Sequence, residues 1–115
     1  QFKTGRTGNE ILKATREQAI KEGIKPSIYS HPLGLHGHAA GPTIGLWDQQ
    51  EGVAGSGDYP IYPSTAYSIE LNSATFIPEW GKEIRIMLEE DGCFNGKSFL
   101  FLAGRQEKLR LIKYF

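Results

Sequence analysis

At 115 residues the chain suits one domain with a modest core and is too short for two. Thirteen basic and thirteen acidic residues cancel, so no net field would draw it to nucleic acid or to an anionic membrane. The single cysteine, Cys93, excludes an internal disulfide and most cysteine-based zinc sites, and no apolar run approaches bilayer-spanning length.

The chain opens at Gln1 in mid-pattern, without an initiator Met or a signal-like start, which reads as a piece of a longer protein. In "TGNEILKATREQAIKEG", Thr7 and Glu10 form a capping-box pattern and Gly23 stands where a helix would stop. Ile11, Leu12, Ala19 and Ile20 recur at helical spacing and leave Lys13, Arg16, Glu17 and Lys21 to water, so the pattern predicts an amphipathic helix over 8–22.

Beyond Lys25 the chain turns to prolines, glycines and short β-type runs. Strands are predicted over 26–30, 66–77, 83–94, 97–103 and 109–115. "PEWGKE" and Asn95-Gly96 read as hairpin turns. "YPIYPSTAYS" (59–68) contains two prolines that cannot donate to a ladder, and is expected to be an edge or loop on the substrate side. The predicted class is α+β, one N-terminal helix packed on a mostly antiparallel sheet.

"SHPLGLHGHAAGP" (30–42) gathers every histidine of the chain, His31, His36 and His38, into one glycine-rich stretch. Divalent ions of the zinc, manganese or iron type take imidazole and carboxylate donors from rigid neighbouring elements. Glu70 in "YSIELNS" and Glu89 in "IMLEED" interrupt otherwise apolar strand runs and can supply the carboxylates. Alternation puts Tyr67 and Ile69 on one face of their strand and Ser68, Glu70 and Asn72 on the other, which is therefore polar. The plainer reading stands beside this one: a strand Glu usually faces solvent, and a loop His is more often a surface residue than a ligand.

The order of segments "TGNEIL…HPLGLHGHAAGP…YSIELNSATFIPEWGKEIRIMLEEDG" resembles the C-terminal half of the pita-bread metallopeptidases, closest to Xaa-Pro dipeptidase and Xaa-Pro aminopeptidase. "GHAAG" (37–41) stands for the family's metal-binding His loop, "SIELN" (68–72) for its first Glu strand and "MLEED" (87–91) for its second. The resemblance implies half of a pita-bread fold, with His38, Glu70 and Glu89 as metal ligands. It gives His31 the upstream substrate position, donating to charge on the reacting carbonyl, and His36 either role if the frame slips by two. Met87 would take the second ligand slot if Arg85-Ile86 set the frame; Glu89 is preferred because a hard metal favours oxygen.

The sequence departs from the family where Leu71-Asn72 replaces a Pro-Gly pair and where Trp47-Asp48 stands near the usual second substrate histidine. The family's two aspartate ligands would lie upstream of Gln1. The resemblance therefore implies two divalent metal ions, manganese, cobalt or zinc, in the intact protein. The present chain carries at most three of five ligands and could itself be metal-free.

The implied activity is hydrolysis of Xaa-Pro di- or oligopeptides by a metal-activated water, with Glu89 or Glu70 as general base. The isolated chain is expected to be inactive. Peptide substrate and the missing N-terminal half are the expected partners, and unpaired apolar surface makes a homo-oligomer an expectation too. A catalytically silent interaction domain of the same fold is the rival reading. A small binding module built on Trp47, Trp80 and the tyrosines is a third.

Overall fold

The structure, a computed structural model, describes residues 1–114. Helix α1 spans Gly8–Lys21 and is followed by strands β1 (Lys25–Gly34), β2 (Gly37–His38), β3 (Thr65–Ile77), β4 (Lys82–Phe94) and β5 (Phe99–Phe101). All neighbouring strands are antiparallel, in the order β2-β1-β3-β4-β5. The α+β class is as the sequence predicts.

The capping box forms as read: Glu10 N–H donates to Thr7 Oγ1 at 3.1 Å, and Thr7 N–H to Glu10 Oε2 at 2.7 Å. Ile11 and Leu12 are buried against Ile28, Ile44, Ile61, Tyr67 and Phe94 in the core. The outer helix face departs from expectation. Ile20 stays 59% exposed. Arg16 turns inward to donate to the Gln50 carbonyl and to Glu51. A long guanidinium finds acceptors in the loop beside it.

Strand β3 runs in register with β4 from Thr65↔Phe94 to Ile77↔Lys82. The hairpin closes through a single 3₁₀ turn, Pro78–Trp80, and Gly81 at φ +60°. Asn95-Gly96 closes the next one, with Asn95 Oδ1 accepting from the Lys97 and Ser98 amides at 2.9 Å each. Among the described residues, the last predicted strand (109–115) does not form. Residues 109–114 carry β-type side chains, but no neighbouring strand offers them a ladder, and Leu109, Leu111, Ile112 and Tyr114 are all exposed. Phe115 lies outside the described residues.

"YPIYPSTAYS" is tied to the core at Ile61 and Tyr67, and its last residue, Ser68, reaches the opposite face of the sheet. Ile61 is fully buried in the core, and its N–H donates to the Arg6 carbonyl at 2.8 Å, while its carbonyl accepts from Gly5 N–H at 3.0 Å. An apolar Ile between two prolines belongs under the helix, where its backbone meets the chain entering α1.

Period-two alternation divides the sheet. Ile28, Tyr67, Ile69, Leu71, Phe94 and Phe99 belong to the core beneath α1. Tyr29, His31, Ser68, Glu70, Asn72 and Glu89 occupy the opposite face, since Tyr29 pairs with Glu70, His31 with Ser68, and Glu70 with Glu89. No helix among the described residues covers that second face.

Candidate metal centre

The histidine stretch is not one loop. Strand β1 continues through Ser30-His31-Pro32-Leu33-Gly34, so His31 sits on a sheet. Leu35 and His36 make the turn, Gly37 takes φ +96°, and the chain returns as β2 with His38 opposite Leu33. Pro32 is tolerated in the strand because its carbonyl still accepts from Ala39 N–H at 2.9 Å. His36 is left exposed in the turn, apart from the other two histidines.

His31, His38 and Glu70 come together, with one potential ligand atom from each lying within 4.8 Å of the others. His31 is 6% exposed. Its Nδ1 lies 2.9 Å from the Pro32 carbonyl and its Nε2 lies 2.9 Å from Glu70 Oε1. Both ring nitrogens thus face oxygen acceptors, while a neutral imidazole has one N–H to give. A proton or a cation between Nε2 and the carboxylate satisfies the second contact.

The His38 ring stacks on His31 with centroids 3.8 Å apart and planes 14° from parallel. Imidazole lone pairs lie in the ring plane, so two parallel rings do not converge on one point. His38 Nε2 instead lies 2.8 Å from the hydroxyl of Tyr29. Burial, and secondly the nearby Glu70 carboxylate, push the Tyr29 phenol above its usual range, which keeps it a donor. A neutral His38 accepting that bond at Nε2 carries its proton on Nδ1.

Glu89 stands directly across from Glu70 on β4, and its Oε1 accepts from the Ser68 hydroxyl at 2.8 Å. It is exposed and outside the three-residue cluster. One step along the same face, Arg85 donates to the buried Asn72. The sequence reading placed Ser68 beside Glu70 by alternation but gave it no role, and it overlooked Tyr29. The signal for Tyr29 was available: alternation in "SIYSH" puts it beside His31.

No family model, curated protein or solved structure matches the chain, so the functional reading rests on the residues and their geometry.

Proposed function

We propose that this chain carries part of the metal centre of a metal-dependent peptidase of pita-bread type, acting on Xaa-Pro peptides. The observation that carries the reading is the buried His31 imidazole held by a main-chain carbonyl on one side and aimed at Glu70 on the other. A histidine fixed through one nitrogen, with its second directed at a carboxylate, is how proteins orient an imidazole for a cation. The mixed nitrogen and oxygen donors suit manganese, cobalt or zinc.

This reading redistributes the roles implied by the family resemblance, with the geometry as its support. With both nitrogens engaged, His31 has no N–H left for a substrate carbonyl, so it takes the ligand role with Glu70. His38, oriented by Tyr29, keeps an Nδ1–H and takes the role of donor to the developing oxyanion. Glu89, held through Oε1 by Ser68, is the carboxylate that receives the proton of the attacking water and passes it to the leaving nitrogen. A bound divalent ion supplies the Lewis acidity that brings that water's pKa near neutrality. Two aspartate ligands from sequence upstream of Gln1 would complete the pair of ions, so turnover is expected of the protein extended to include them.

Calorimetric titration of the chain with Zn²⁺, Co²⁺ and Mn²⁺ tests the ligand set. His31→Ala and Glu70→Gln are expected to weaken uptake at least 100-fold, following the usual cost of losing a ligand or its support. His38→Ala is expected to change uptake by only a few-fold while abolishing proline release by the extended protein. Equal loss of metal in His38→Ala and His31→Ala would overturn the division of roles. No metal uptake by the wild type, together with no turnover by the extended protein, would select the silent domain instead.

A further inference from the structure

Trp47 is a large apolar residue that remains 41% exposed, yet it is fixed from two sides. It belongs to the Leu46–Gln49 turn, closed by Gln49 N–H donating to the Leu46 carbonyl at 2.9 Å. The next residue, Gln50, fastens that turn to β1. Its Nε2 donates to the carbonyls of Leu46, at 2.6 Å, and Ile28, at 2.8 Å, and its Oε1 accepts from Ile28 N–H at 2.9 Å. The side-chain amide thus acts like a short piece of strand laid along the edge of β1, one residue before Tyr29. Trp47 then meets the Tyr29 ring edge-on, with centroids 5.7 Å apart.

These bonds hold the indole in place without burying it, beside Met87, which is 60% exposed, so the two form one apolar surface. The space beside it is a cleft lined by Pro26, Ser27, Trp47, Asn72, Arg85 and Met87. Ser27, Asn72 and Met87 form the cross-strand row immediately next to the Tyr29–Glu70–Glu89 row. Rows on one face of a sheet lie about 7 Å apart. The indole, the Met87 thioether and the Pro26 ring give apolar walls. Asn72 Oδ1 accepts from Arg85, and Arg85 and Ser27 give the cleft a polar side opposite these walls.

We propose that Trp47 is a specificity-determining residue, walling a pocket that takes an apolar side chain next to the scissile bond, with Gln50 as its positioning residue. The proposal rests on the peptidase reading above, and its test is made on binding so that the two fail separately.

In a Trp80→Phe background, Trp47 is the sole tryptophan and its fluorescence reports on the cleft. The probes are the dipeptides Gly-Pro and Leu-Pro, with and without Zn²⁺. Leu-Pro is expected to bind at least tenfold more tightly than Gly-Pro and to shift the indole emission. Competition against a dansylated peptide reads the same ratio in variants lacking the indole. Trp47→Ala is expected to bring the ratio below twofold, and Trp47→Phe to keep most of it. Gln50→Glu, which lacks the two N–H donors, is expected to lower Trp47 anisotropy and selectivity together, whereas a purely structural role would leave the ratio intact in the folded fraction.

An unchanged ratio in Trp47→Ala, or no leucine preference in the wild type, would overturn the proposal. Zinc uptake without selectivity would remove the pocket and leave the metal centre. Selectivity without zinc uptake would do the reverse.

Discussion

The hydroxyl of Tyr67 is fully buried and has no hydrogen-bond partner. An unpaired buried hydroxyl loses its water without replacement, so Tyr67→Phe is expected to stabilise the fold by about 1 kcal/mol, read from the urea midpoint at pH 7. Burial also pushes this phenol's pKa up to about 12. The folded state therefore favours the protonated form. Its stabilising effect is complete below an ordinary tyrosine pKa near 10 and is lost as pH rises toward 12. In Tyr67→Phe the alkaline unfolding midpoint is expected to move upward; an unmoved midpoint would show that other groups drive that transition. At this scale the sequence was partly legible. Alternation placed Tyr67 and Glu70 on opposite faces, and the structure agrees. That His31 and Glu70 would approach within hydrogen-bond distance was not readable, because it depends on the β1–β3 register.

Among the elements, α1 and the two long strands follow from local rules: a capping box, two-residue periodicity and turn residues at the hairpins. What escaped was the extension of β1 into the histidine stretch, where glycines and prolines suggested a loop. Those residues become a strand because β3 on one side and Ala39 on the other supply their ladder partners. Thr7→Ala removes the cap acceptor and is expected to cost about 1 kcal/mol in urea unfolding. Gly45 is a stricter position. It adopts φ +74°, and a Cβ there would stand 2.3 Å from the Ile28 carbonyl and 2.9 Å from Leu12 Cδ1. Gly45→Ala combines backbone strain with a clash against β1, and is expected to destabilise by about 2 kcal/mol or more. A near-neutral Gly45→Ala would mean that the segment between β1 and α1 can move outward.

For the whole molecule, the proposed metal centre would link binding to folding, since His31 and Glu70 are brought together only when β1 and β3 pair. Zinc at 100 times its Kd is expected to stabilise the chain by about 2.7 kcal/mol, a rise in Tm on the order of 10 °C. Glu70→Gln should abolish most of that rise, and an equal rise in both proteins would place the ion elsewhere.

The division of the sheet into a core face and a chemical face has a further consequence. Strand β3 behaves like a text in a two-residue reading frame, with Tyr67, Ile69 and Leu71 in one phase and Ser68, Glu70 and Asn72 in the other. Substitutions respect the frame, so the side chains of the open face can change while the core stays constant. A one-residue deletion at Ile69 does not. It would swing Glu70 into the core beneath α1 and bring Leu71 out beside His31, losing the fold and the His31–Glu70 pair in one event.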